Sequence, residues 1–155
     1  MIREVEIIRL RENATIPTYG SDCSAGLDLY ACLDESITIH SGDKSVLIPT
    51  GISINMMPIT EACVGLIFPR SGLGHKDGVV LGNSTGVIDQ DYHGEIFVSL
   101  WNRNNPNHSV TRTVKHGDRI AQLVIVPIIT ANFKIVDKFS VDTQRGSNGF
   151  GSTGV

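Results

Sequence analysis

The chain has little that would suit it to a nucleic acid or a membrane. Its 13 lysines and arginines are outnumbered by 16 aspartates and glutamates, giving a formal net charge of −3 over 155 residues. Neither a phosphate backbone nor an anionic lipid surface attracts such a balance, which excludes partners held by bulk electrostatics. Long apolar runs are missing as well. The longest, LVIVPIITA from Leu123 to Ala131, is broken by Pro127 and falls well short of the ~20 residues of a membrane helix. No charged-then-apolar leader opens the sequence, so a cytoplasmic location is expected. Cysteine is scarce: Cys23, Cys32 and Cys63 are odd in number, scattered, and never form a C-x-x-C pair. That usage fits reduced, buried thiols and gives neither a disulfide framework nor a metal cage. Helical periodicity is the last absence. No segment keeps an apolar helical repeat for three turns, and only RSGLGHK could make a short helix.

What is present is strand pattern. Apolar residues alternate in GLDLYACL, where Leu27, Leu29, Ala31 and Leu33 share a face, and again in ITI and GISINM. Fuller apolar runs at ACVGLIF, EIFVSLW and AQLVIVPII predict strands buried on both faces. Turn residues punctuate them at HSGDKS, IPTG, NRNNPNH and KHGD. The length suits one domain with a real core. An all-β sandwich or barrel with at most one short helix follows.

Four polar insertions stand out against that frame. GVIDQDYHGEI, from Gly86 to Ile96, places Asp89 and Asp91 in one tight corner; taken alone, two aspartates can simply cap a turn. FPRSGLGHK stops a strand at Pro69 and offers Arg70 as a fork of donors beside Ser71 and Gly72, which suits a phosphate but equally an ordinary turn. HGDRIAQLV puts polar residues into an apolar strand, with alternation sending Asp118 and Gln122 to one side and Arg119 to the other. An Asp–Arg pair tying strands together and a binding role are both open there. RGSNGFGSTGV, at the C-terminus, reads either as a frayed tail or as a segment that folds onto a ligand bearing a charge and a ring.

Together, in chain order, SAGLDLYA, PRSGLG, GNSTGVIDQDYHGE, GDRIAQLV and RGSNGFGSTG closely resemble the five-motif signature of the trimeric deoxyuridine triphosphate nucleotidohydrolases, the dUTPases, in their ordinary bacterial form. The resemblance runs from about Pro17 to Gly154. It implies a single jelly-roll-like (β-clip) domain over residues 1–144 and a Gly-rich arm over 145–155. It also implies a homotrimer with active sites shared between subunits and no nucleic-acid or membrane partner. The implied reaction is Mg2+-assisted hydrolysis of dUTP to dUMP and pyrophosphate, which keeps uracil out of DNA and supplies dUMP for thymidylate synthesis.

Residue by residue, the resemblance makes Asp89 the carboxylate that holds and deprotonates the attacking water. Tyr92 is implied to lie against the deoxyribose and exclude a 2′-hydroxyl, and Asp91 to brace the hairpin. Uracil is expected on the same hairpin through Asn83 and the main chain of Val87, Ile88 and Phe97, whose donors and acceptors imitate a base-pairing edge. The triphosphate is expected between Arg70, Ser71, Gly72 and Gln122, with Arg145, Gly151, Ser152 and Thr153 at its far end. Phe150 is expected over the base. Asp28 matches the aspartate that places a magnesium ion through water, the ion being held mainly by phosphates. Asn148 departs from the usual glycine of the arm but tolerates positive φ. His75 and His93 fall outside the matched catalytic positions. Two rival readings remain: a dCTP deaminase of the same superfamily, which would need Glu95 beside the base, and a non-catalytic nucleotide-sensing protein.

Overall fold

Short strands make up nearly all the regular structure of the computed structural model, which describes residues 3–147. In order they are β1 (Glu6–Arg9), β2 (Thr18–Tyr19), β3 (Leu27–Tyr30), β4 (Ile37–His40), β5 (Val46–Pro49) and β6 (Ile52–Asn55). There follow β7 (Cys63–Pro69), α1 (Ser71–Lys76), β8 (Val79–Leu81), β9 (Gly86–Asp89), β10 (Phe97–Asn102), β11 (Thr111–Val114) and β12 (Arg119–Pro127). The expected single short helix is α1, joined by one 3-10 turn at Pro106–His108. Six residues including two glycines cannot form a stable helix by propensity. Burial of Leu73 fixes α1 to the core instead.

Every strand pairing is antiparallel. The largest sheet has the order β2-β3-β12-β7-β9, a second has the order β5-β10-β8, and β1-β6 and β11-β4 form two-stranded ribbons. The spine is β12, seven of whose nine residues run along the whole of β7, from Ala121 opposite Pro69 to Pro127 opposite Cys63. Leu29, Ile48, Ile52, Ile96, Leu100 and Val98 fill the space between sheets with at most 1% exposure. Each contributes ~1.5–3 kcal/mol relative to leaving it in water. This is the all-β, jelly-roll-like architecture expected.

The structure corrects three details. The apolar runs of β7, β10 and β12 are not buried on both faces: in β7, Cys63, Gly65 and Ile67 are buried while Phe68 is 37% exposed, and in β10 Trp101 is 41% exposed. One face of each strand meets the core, and the other is uncovered within a single chain. Cys23 is exposed, unlike Cys32 and Cys63. The segment from Gly86 to Ile96 is not a two-stranded hairpin, because β9 pairs with β7 and β10 with β5 and β8; it is a corner crossing from one sheet to the other.

Beyond Pro127 the described residues form neither helix nor strand. Ile128 N–H still donates to Ala62 O at 2.8 Å. After it, Ile129, Phe133, Ile135 and Phe139 stand at 83% exposure or more.

Candidate active site

One cluster gathers on Asp28. Strand register sets Asp28 of β3 opposite Gln122 of β12, and Gln122 opposite Phe68 of β7. Pro69 ends β7, and Arg70 stays extended as the N-cap of α1, which turns its side chain back over the sheet. Arg70 Nε then donates to Asp28 Oδ1 at 3.0 Å, Arg119 Nη1 to Oδ2 at 3.3 Å and Gln122 Nε2 to Oδ1 at 3.4 Å. The Asp28 side chain is only 5% exposed. A carboxylate so placed costs several kcal/mol unless paired, and two guanidinium groups supply the pairing. Their remaining N–H groups stay available, since Arg70 and Arg119 are 27% and 52% exposed. Ser71 and Gly72 lie exposed beside them, and nothing lies within 4 Å of where a Cβ on Gly72 would be. This cluster can grip an anion.

The sequence pattern misplaces Arg119. Plain alternation puts it opposite Gln122, but the register of β12 shifts between Arg119 and Ala121. That irregularity brings both side chains to Asp28. Arg119 thus ties two strands together by pairing with Asp28 of β3, not with Asp118 of its own motif. Asp118 instead accepts from Lys115 N–H at 3.0 Å and closes a turn.

The second cluster surrounds Asp89. Strand β9 is the outer strand of the five-stranded sheet, so one of its edges offers unpaired main-chain donors and acceptors. A cavity of about 250 Å³ lies there, lined by Val87, Ile88, Asp89, Tyr92, Glu95 and Phe97. Asp89 is exposed, and no described residue donates a hydrogen bond to its carboxylate. Tyr92 N–H donates to Asp89 O at 3.1 Å, and Tyr92 Oη donates to Glu95 O at 3.0 Å. The Tyr92 ring lies against Gly94 so closely that a Cβ there would overlap Oη and Cζ. Glu95 is occupied structurally: Oε1 accepts from Gly51 N–H at 2.9 Å and pairs with Arg11 Nε at 3.3 Å. Behind the corner, Gln90 bonds the 56–63 segment, and Ser53 Oγ donates to His93 O at 2.8 Å.

The chain does not bring these clusters together. Asp89 pairs with Val64 near the start of β7, whereas Arg70 follows its last residue. Six residues of extended strand separate the two positions by roughly 20 Å. Asn83 sits in the turn before β9, at the end away from Asp89, and does not line the cavity. Arg145 is exposed in the segment after β12. Asn148, Phe150, Gly151, Ser152 and Thr153 lie outside the described residues.

Among the described residues no three His, Cys, Asp or Glu side chains form a metal-holding group. Asp28 supplies the carboxylate of the anion cluster, and both of its oxygens already meet arginines. A magnesium ion fits beside it only through its water shell. Sequence reasoning misplaced Arg119 and missed Gln90 and Gly94. A bulge, a side chain facing backwards and a contact with a ring leave no periodic signal, although a glycine two residues after Tyr92 could have suggested close approach.

A family model described as dUTPase matches residues 12–154. The deoxyuridine 5'-triphosphate nucleotidohydrolase of Hahella chejuensis is 50% identical over 146 residues, covering 94% of this chain and 91% of the relative. That of Neisseria meningitidis serogroup A is 50% identical over 152 residues, covering 98% and 96%. Among solved structures, a mutant dUTPase of Staphylococcus bacteriophage 80alpha with dUpNHpp superposes with TM-score 0.85 at 29% identity, over 98% of this chain and 99% of that one. A mutant dUTPase from phage phi11 of S. aureus, which coordinates a structural Mg(II) ion, gives TM-score 0.77 at 28% identity, over 89% and 99%.

Proposed function

The chain belongs to the dUTPase family, and from that premise we propose how its two separated clusters act. It is an enzyme, a dUTP diphosphatase, which uses water to cleave dUTP into dUMP and pyrophosphate. One observation carries the mechanistic reading: an open strand edge ends on an exposed carboxylate that none of the described residues has claimed. The edge of β9 pairs with uracil through main-chain N–H and C=O groups at Val87 and Ile88, with Phe97 closing the far wall. Cytosine would reverse donor and acceptor there, at about 1–3 kcal/mol for each group left unpaired. Tyr92, seated on Gly94, stands where a ribose 2′-hydroxyl would have to fit. Asp89 accepts a proton from water and directs the oxygen at the α-phosphorus.

The anion cluster holds the triphosphate. Arg70 is aimed by Asp28 and donates to phosphate oxygens beside Ser71, Gly72 and Gln122. Asn83 is assigned to the uracil end. The arm over residues 145–155 brings Arg145, Gly151, Ser152 and Thr153 to the outer phosphates, and Phe150 over the base. Mg2+ bound to the phosphates would neutralise charge growing on the leaving pyrophosphate, with Asp28 touching only its waters.

Because roughly 20 Å of strand separates Arg70 from Asp89, the two halves of a working site come from different copies. A homotrimer satisfies this, each subunit giving its anion cluster to one site and its β9 corner to another. The uncovered apolar surface supports assembly: the segment carrying Ile129, Phe133, Ile135 and Phe139, and an open groove of about 910 Å³ lined by Val5, Ile7, Ile54, Leu123 and Ile125. No helix among the described residues is long and apolar enough to cross a membrane, and a cytoplasmic site of action fits the substrate. Glu95 lines the cavity, but its carboxylate is engaged by Gly51 N–H and Arg11, which speaks against the deaminase reading.

The test is pyrophosphate release from dUTP, UTP, dCTP and dTTP by wild type and Asp89→Asn, with ammonia release followed in parallel. Turnover of dUTP alone is expected, with at least a ~100-fold loss in the variant. Ammonia from dCTP, or an unimpaired variant, overturns the reading.

A further inference from the structure

We propose that Gln90 is the positioning residue that aims Asp89, a role resting on the assignment of Asp89 as the base. No described side chain fixes the Asp89 carboxylate, so its direction is set by the main chain on either side. On the N-terminal side, β9 is paired to β7 through Asp89 opposite Val64. On the C-terminal side the strand has ended, and Gln90 takes over.

Its side chain turns back into the segment that leads into β7. Gln90 Nε2 donates to Met56 O at 3.2 Å and to Ile59 O at 2.8 Å, while Oε1 accepts from Cys63 N–H at 3.3 Å. An amide offers two donors and two acceptor sites, so three of four are used. The anchor points belong to the buried core: Met56, Ile59 and Cys63 are 1%, 8% and 4% exposed. Cys63 is also the first residue of β7, the strand already paired to β9. A closed loop of contacts therefore runs from Asp89 across the β-ladder to β7, back to the 56–63 segment, and through Gln90 to the residue next to the base.

Two donors and one acceptor in this arrangement demand an amide of glutamine length. Asparagine is one methylene too short, glutamate lacks both donors, and methionine fills the space with no hydrogen bond. Proton transfer to a carboxylate requires approach within ~2.6–3.2 Å, and misplacement by about 1 Å can cost ~100-fold in rate. Uracil contacts on β9 are held by the pairing with β7, which Gln90 does not supply.

The experiment is a double-mutant cycle on dUTP hydrolysis with wild type, Q90M, D89N and Q90M/D89N, each full-length and checked by thermal melting. In the wild-type background Q90M is expected to lower kcat ~10- to 100-fold while KM changes less than ~3-fold. In the D89N background the same substitution should change the residual rate less than ~2-fold, because no base remains to be aimed. A wild-type kcat for Q90M, a rise in KM in place of the fall in kcat, or equal losses in both backgrounds overturns the proposal. A fully active D89N would instead overturn the assignment of Asp89. If Q90M melts at the assay temperature, Q90E carries the test. Its ionised carboxylate faces two carbonyls, and protonation restores one donor. The ratio of its kcat to wild type should climb as pH falls from about 8 to about 5, and a flat ratio overturns the proposal.

Discussion

Replacing Asp28 by asparagine keeps the side chain's shape and removes its charge. The contact with Arg70 Nε at 3.0 Å is a charge-assisted hydrogen bond, a class worth ~1.5–3 kcal/mol. Arg119, half exposed at 52%, adds less than ~1 kcal/mol because solvent screens the pair and can rehydrate the freed guanidinium. Gln122, at 3.4 Å, contributes little, and it can turn its amide to accept from the new N–H2 group. The sum spans ~1.5–4 kcal/mol and centres on ~2–3 kcal/mol. For a chain of this size each kcal/mol moves the melting temperature by ~2–4 °C, so a fall of roughly 4–12 °C is expected. Activity should suffer separately. Arg70 loses the partner that fixes its fork, and kcat/KM for dUTP should drop ~10- to 100-fold at temperatures where the variant is fully folded. Calorimetry and pyrophosphate release on the same preparation measure both effects. A variant melting within about 1 °C of wild type and retaining its kcat/KM would refute the view that Asp28 aims Arg70.

Gly94→Ala should push the Tyr92 ring from its seat without disturbing the core, and the preference for dUTP over UTP should fall ~10-fold or more; competition kinetics with the two nucleotides read this directly. A thiol reagent should titrate Cys23 alone in the native protein and all three cysteines after unfolding. Burial pushes the Cys32 and Cys63 thiols above their ordinary value of 9.0. Above that pH the unfolded chain loses protons that the folded chain keeps, so stability should decline as pH rises past 9.0, and urea titrations across that range check the sign. Deleting residues 145–155 should leave the melting temperature within ~2 °C and cut turnover at least ~100-fold.

The strands were legible because β-branched runs and turn residues mark them clearly, as in β12 and in the glycine-bearing turns that bound β5 and β6. The sequence allowed a short helix over RSGLGHK without requiring it, because its two glycines disfavour one and the burial of Leu73 decides the matter. Burial was less legible. Phe68 and Trp101 read as core by composition, but strand alternation turns them to the face away from the core, where they stand 37% and 41% exposed. The candidate site split the same way. Asp28, Arg70, Gln122, Asp89 and Tyr92 were found by motif. What connects them was not, since Arg119 reaches Asp28 through a shift in register and Gln90 acts through contacts with carbonyls.

The length of β7 has a consequence for mixtures. On the proposed arrangement, a subunit carrying Arg70→Ala still lends a sound corner to its neighbour, and one carrying Asp89→Asn still lends a sound grip. Two inactive proteins, unfolded together and reassembled at equal amounts, should then regain roughly a quarter of wild-type sites by chance pairing around the ring. If each chain instead held its whole site, the blend would stay as silent as its parts.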